Sequence, residues 1–346
     1  MSSVMYAGTA EGVVTFKREN GKWEETAHGL KDWAIGQLAV DPATPNRIYA
    51  GTRGDGVVVS DDYGEHWAKP NRGKTGPGKV KCVSISPHDS SIIYAGTEPI
   101  GIWVSKDSGA SWSEFESVWD VPSVPTIDYP VPSVEPHVRS IAIDPKDANT
   151  LYASLQVGYM IKSSDGGTTW ALTDQNVDAD IHTVVLNPDD PKHIYVSTGG
   201  HDYRQGKSPG RSLYHSPDGG GSWLPMAMEF ELEYSVPLTM HPKDSKLLYS
   251  ALANGQPPQW AKQDGGAQAT LIRSNDGGET WNASDTGFDE IAQDYVEIIT
   301  FDMANANNMF LGTRAGGLFE SSDVGESWAK VDVPLESITD LRVISS

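Results

Sequence analysis

The sequence predicts an all-β chain, a seven-bladed β-propeller with four-stranded antiparallel blades, its ring closed by the C-terminal strand (338–344) joining the N-terminal blade. Three observations carry this. An octapeptide, Ser-x-Asp-x-Gly-x-x-Trp, recurs six times, at Ser60–Trp67, Ser105–Trp112, Ser163–Trp170, Ser216–Trp223, Ser274–Trp281 and Ser321–Trp328. A decayed copy, FKRENGKW, ends at Trp23 and makes a seventh. Each of the six intact copies follows two strand-like strings, and the chain opens on the second kind and ends on the first.

Within one repeat, the first string ends near Asp-Pro, as in Leu38–Pro42, Val83–Pro87, Ile141–Pro145, Val184–Pro188, Leu238–Pro242 and Ile298–Asp302. The second resembles Tyr-Ala-Gly-Thr, as in Met5–Thr9, Ile48–Thr52, Ile93–Thr97 and Ile194–Thr198. A third strand runs into the octapeptide and a fourth starts near its Trp. Four strands per repeat, repeated radially, make a propeller blade. The unpartnered first-type strand at 338–344 is expected beside Val4–Thr9, where it removes two exposed edges. The whole chain, 1–346, reads as one domain.

Within the octapeptide, Ser and Asp side chains can accept from turn N–H groups. Gly permits positive φ, and Trp packs against neighbouring strands. These are structural tasks, so Asp62, Asp107, Asp165, Asp218, Asp276 and Asp323 are not read as catalytic acids. The motif resembles the Asp box (BNR repeat) of sialidases, sortilin-type receptors, xyloglucanases and photosystem assembly propellers. The resemblance implies the propeller and leaves the activity open, because such propellers serve unrelated functions. The Arg-Ile-Pro that opens sialidases is absent. Xyloglucanases of this kind place paired carboxylates between two tandem propellers, and one propeller is expected here.

Forty-seven acidic against 26 basic side chains give a formal charge of −21. Such a surface repels phosphate backbones and anionic membranes, so neither nucleic acid nor membrane is an expected partner. Lys74, Lys79 and Lys81 form the one small basic cluster. A single cysteine, Cys82, excludes an internal disulfide and reads as core. No apolar run approaches a membrane span, and Met1 leads straight into strand pattern without a leader-like segment. A cytoplasmic location is the expectation; oligomeric state is left open.

Spacing locates the site. Successive box Trp residues lie 44, 45, 58, 53, 58 and 47 apart. The long gaps place insertions at 113–136, 199–211 and 253–269, all on the face opposite the octapeptide turns. Long loops on one side of a rigid scaffold are where binding concentrates. Aligning the first strands puts Gly36, Lys81, Arg139, His182, Val236, Glu297 and Thr339 at one level of the channel mouth. Two residues earlier come His137, Asp180, Tyr234 and Tyr295, among others. The loops above add Arg53, Glu98, His201 and Arg314. Trp33, Trp119 and Trp260 are candidate stacking platforms for a sugar ring.

Three chemistries compete for this ring. His137, His182 and His201 with Glu297 are the candidate ligands of a divalent metal that activates water. Alternatively His137, His182, Glu297 and Tyr234 supply acid–base catalysis. Arg139, Lys81, Arg53 and Arg314 would then neutralise a carboxylate, as a hydrolase or lyase needs. Glu98, Tyr295, His201 and the three Trp residues complete the expected ligand-binding set. The third possibility is a non-catalytic platform that grips a protein segment. The expected ligand is a small molecule or glycan, sugar-like or carboxylate-bearing. Asp174, Asn176, Asp178 and Asp180 alternate like half a calcium loop, but Ala179 and Val185 stand where its Gly and Glu belong.

Overall fold

A computed structural model describes residues 3–68, 76–129, 131, 134–284 and 286–345. Strands form seven sheets that follow one another round a ring. Blade 1 mixes both ends of the chain: Asp340–Ser345 is innermost, then Ser3–Thr9, Gly12–Glu19 and Lys22–Gly29. The innermost strands of blades 2 to 7 are Ile35–Val40, Lys79–Ile85, Val138–Ile143, Ile181–Leu186, Tyr234–His241 and Val296–Phe301. Blade 2 has three strands among the described residues, and the other six blades have four. Every ladder within a blade is antiparallel. No helix among the described residues is long and apolar enough to cross a membrane.

The core lies between blades. Met5, Phe16 and Trp23 of blade 1 pack with Phe310 and Leu318 of blade 7 and with Leu341 of the closing strand. Ile141 and Leu151 of blade 4 pack with Tyr94 and Ile102 of blade 3. Cys82 is fully buried there, as expected.

The octapeptide turns behave as their residues require. In Ser60–Trp67, Ser60 Oγ donates to Asp62 Oδ1 (2.8 Å) and accepts from Gly64 N–H (2.9 Å). Asp62 Oδ1 also accepts from His66 N–H (2.8 Å), and Trp67 Nε1–H donates to Gly64 O (3.1 Å). The other five copies repeat the Ser–Asp–Gly bonds. The fifth-position Gly has positive φ in all six, from 75° at Gly325 to 91° at Gly220.

The conserved look of the Tyr-Ala-Gly-Thr string has a reason that the string alone hides. Its Tyr reaches the octapeptide turn of the next blade. Tyr49 Oη donates to Ser108 O (3.4 Å), Tyr195 Oη to Gly277 O (3.0 Å) and Tyr249 Oη to Val324 O (2.7 Å). Blades are thus fastened outside as well as packed inside.

Candidate functional site

Antiparallel order brings the starts of the innermost strands and the three enlarged loops to the face opposite the octapeptide turns. There six innermost strands break register at one level. A bulge leaves a residue out of the ladder and re-aims its side chain. The residues released are Gly36, Lys81, Arg139, His182, Glu297 and, with Pro237, Val236. Thr339 stands at the matching place before the closing strand, its N–H donating to Gly8 O (2.8 Å). The aligned sequence level is therefore a level of repeated bulges.

Lys81 Nζ lies 2.5 Å from Glu98 Oε2, and Lys79 Nζ lies 3.6 Å from Oε1. Burial alone would raise the Glu98 carboxyl; the Lys81 ammonium outweighs it and holds Glu98 below its ordinary value. Lys74 lies outside the described residues. His137 donates from Nδ1 to the Glu135 carbonyl (2.9 Å). Burial, reinforced by the Arg139 and Lys81 charges, pushes this imidazole down to about 3, so it is neutral near pH 7. Tyr129, from the 113–136 insertion, leans over it with ring centroids 6.0 Å apart and accepts from Gln156 Nε2 (3.2 Å).

Across the ring, Arg314 donates from Nε and Nη2 to Glu297 Oε2 (3.1 and 2.9 Å). His182 donates from Nδ1 to Ser235 O (2.7 Å). Its Nε2 faces Asp180 Oδ1 at 3.3 Å, too poorly aligned for a hydrogen bond, and that oxygen has none. Burial opposes ionisation of Asp180, and the neighbouring His182 and Arg139 charges outweigh burial and hold it below its ordinary value.

Several expected ligand contacts are structural instead. Trp260 is 7% exposed, donates from Nε1 to Asn254 O (2.9 Å) and lies under the Arg314 guanidinium at 5.5 Å. It supports a channel residue and offers no free face. Tyr295 is fully buried; its hydroxyl accepts from Val236 N–H (2.7 Å) and donates to Ala251 O (3.2 Å). Tyr234 is sealed between His182, Trp260 and Tyr295, and burial drives its phenol far above the ordinary value, so it cannot serve as a base. Trp33 packs half-buried between blades 1 and 2. Trp119 is 45% exposed, as a platform requires.

The metal set does not assemble. His137, His182, His201 and Glu297 do not converge. Among the described residues one group of three ligating side chains lies within 4.8 Å, namely Asp62, Glu65 and His66 on the opposite face. His201 Nε2 instead meets Gln205 Nε2 (2.8 Å). The calcium-like alternation also has another use. Asp178 accepts through Oδ1 from Asp180 and His201 N–H (2.9 and 3.0 Å) and through Oδ2 from Asp202 and Tyr203 N–H (2.8 and 2.9 Å). It is the anchor of the 199–211 insertion.

Sequence reasoning passed over Asp178 as an anchor, Asp180 as the partner of His182, and Tyr129 with Gln156 over His137. For Asp180 a signal existed: it precedes the bulge residue by two positions, so both side chains reach the same wall.

No family model matches this sequence. A xyloglucanase of Hypocrea jecorina is 24% identical over 220 residues, 56% of this chain and 26% of that protein. A xyloglucanase of a Paenibacillus species is 27% identical over 222 residues, 56% of this chain and 21% of that protein. The chain therefore spans about a quarter of the length of the curated relatives it matches. Among solved structures, a GH74 enzyme of Niastella koreensis superimposes with TM-score 0.68 at 18% identity, over 94% of this chain and 52% of that one. YCF48 bound to D1 peptide superimposes with TM-score 0.62 at 14% identity, over 92% and 93%. At these identities the structural likeness establishes the fold. The chain is a seven-bladed β-propeller with xyloglucanases among its sequence relatives and GH74 enzymes among its structural neighbours.

Proposed function

We propose that the loop-side mouth of the channel binds a glycan and that the chain is a glycan-directed hydrolase. The observation that supports this is the single bulge level, at which Lys81, Arg139, His182 and Glu297 of four blades leave their ladders together. The xyloglucanase relatives support the substrate class, and the octapeptide turns are in this reading Asp boxes. Glycoside hydrolysis needs a proton for the leaving oxygen and a base for water. Glu297 is the carboxylate that faces the opening and orients water, with Arg314 fixing its rotamer. His182 is buried beside Asp180 with its side chain 1% exposed, so in this reading the pair shapes the wall and does not touch the substrate. His137 is a neutral wall group.

The test is release of reducing sugar from a panel of neutral and acidic oligosaccharides. Glu297→Gln should cut turnover by about a hundredfold or more, the usual scale for acid–base groups, with melting temperature retained. Full turnover in this variant overturns the assignment. The ring-for-ring match to a peptide-bound propeller supports a second reading, a non-catalytic platform for a protein segment. Binding of peptides at this mouth, with no glycan bound or cleaved, would select it.

A further inference from the structure

We infer that His193 and His215 form a two-imidazole site for a divalent first-row transition metal, copper(II) foremost, in the cleft between blades 5 and 6. The site lies on the octapeptide side, away from the channel mouth, and does not depend on the glycan reading.

The cleft encloses about 600 Å³ between the strands of blade 5 and the octapeptide turn of blade 6. Local structure places both rings in it. His193 closes a turn: its N–H donates to Asp190 O (2.9 Å) and its carbonyl accepts from Asn187 N–H (3.0 Å). Two residues on, Tyr195 projects from the same face of its strand and stands directly opposite His215. The three rings therefore stack. Tyr195 and His215 have centroids 4.6 Å apart with planes inclined by 19°, and His215 and His193 are 5.0 Å apart at 16°. The Tyr195 hydroxyl, bonded to Gly277 O of blade 6, braces the stack from the far side.

His193 Nδ1 and His215 Nε2 face each other at 2.9 Å. One ring donates and the other accepts, and among the described residues no other hydrogen bond engages either imidazole. Burial, with His193 beside it, holds the His215 imidazole down to about 4, so it is neutral near pH 7. Neutral imidazole is the commonest protein ligand of such metals. Two nitrogens bound about 2.0–2.1 Å from one metal stand about 2.9 Å apart at a right angle and about 3.3 Å apart at the tetrahedral angle. The spacing here is that of neighbouring corners of a tetragonal centre, which suits copper(II) or nickel(II) over zinc. On binding, the donor ring's proton moves to its far nitrogen. Both facing nitrogens then offer lone pairs, and no proton is lost overall. Asp190, Glu229 and Glu279 line the same cleft against Lys246, and their field favours a cation. Water completes the coordination.

Titration of the tag-free full chain at about pH 7.5, with copper(II), nickel(II) and zinc(II) chlorides, tests this by calorimetry and by pulsed EPR of the copper form. One copper should bind with Kd below about 10 µM, ahead of nickel and zinc. The echo modulation should count two coordinated imidazoles. His193→Gln and His215→Gln should each weaken copper at least about tenfold, a scale that even the outer partners of metal ligands reach, and should leave at most one imidazole. His66→Ser gives its octapeptide the hydroxyl that the five sister copies carry at that place. It is the control and should bind copper as the parent does. Should His215→Gln fail to fold, His193→Gln, at a half-buried turn position, carries the test with the imidazole count. Binding weaker than about 10 µM, one coordinated imidazole in the parent, zinc bound ahead of copper, or copper binding that His66→Ser abolishes and the other two variants keep would each overturn the inference.

Discussion

Each octapeptide turn surrounds a carboxylate with donors, and that makes the ring acid-sensitive. Side-chain and backbone hydrogen bonds from the residue four positions on hold Asp107 and Asp323 down to about 2, and backbone and side-chain bonds from His66 do the same for Asp62. Asp165, Asp218 and Asp276 are lowered for the same reason. A carboxyl near 3.9 when unfolded and lower when folded stabilises the native state above about pH 4. That contribution fades as pH falls from about 4 towards 2, where the folded groups take up protons. Circular dichroism against pH should show unfolding in that window, and replacing Asp62, Asp107 and Asp323 by Asn should flatten it; an unchanged acid transition would refute the account. These turns were legible in the sequence because every bond is made within eight residues. The Tyr-to-turn bonds were not, because their partners lie about 60 to 80 residues on. Tyr249→Phe removes the 2.7 Å bond to Val324 O and should cost about 1 kcal/mol in urea unfolding. Tyr94, whose hydroxyl makes no hydrogen bond among the described residues, is the control and should tolerate Phe at little cost.

At the level of elements, the spacing of the octapeptide Trp residues located all three insertions on the loop-bearing face, and the bulge level of the innermost strands coincides with the aligned residues. What spacing cannot convey is how an insertion folds back. The 253–269 segment looked like a free loop with a stacking Trp. It is tied to the segment before blade 7, with Ala267 and Ala269 N–H donating to Gln293 O (3.1 Å) and Ala292 O (2.9 Å), and that contact buries Trp260. Asp178 shows the same limit: its alternating neighbours mimic a cation loop, while its oxygens are spent on four backbone N–H groups of its own and the next loop. Asp178→Ala would leave those donors unpaired, each worth about 1–3 kcal/mol where burial persists. The segment would relax towards water and recover part of that loss. Hydrogen exchange at residues 200–208 should accelerate while the strands of blade 5 keep their protection. Exchange unchanged in that stretch, or lost across the whole blade, would show that Asp178 does not act as a local anchor.

For the whole molecule, the decisive element is the strand Asp340–Ser345. It pairs along Ser3–Gly8, with Ser3 opposite Ser345 and Gly8 opposite Asp340. It also binds both neighbouring blades. Buried Asp340 accepts from Leu38 N–H (2.7 Å) of blade 2, and Arg342 Nε–H donates to Leu38 O (3.0 Å). On the other side Asp302 of blade 7 accepts from Ser345 N–H (3.0 Å). Counting strand types along the sequence was enough to expect this closure, because a ring leaves one place for an unpartnered strand. Removing residues 340–346 would expose the faces of Met5 and Ala7 now covered by Leu341 and Val343. It would also strip Asp302 of its Ser345 bond and the Leu38 backbone of its bonds to Asp340 and Arg342. Three blades would lose contacts at once, so the truncated chain should lose its single cooperative thermal transition. A permuted chain separates loss of the strand from loss of sequence. Ser345 lies beside Ser3, with their Oγ atoms 3.0 Å apart, so a short turn can join them, with new termini opened in the exposed Asp147–Ala148 turn. Covalent linkage shortens the loop that must close in folding, and adjacent termini favour such rearrangements. The permutant should melt at or above the parent temperature in calorimetry. A truncated chain that melts as the parent does would show that the ring holds without its closing strand, and the channel mouth would then owe its shape to blades 2 to 7 alone.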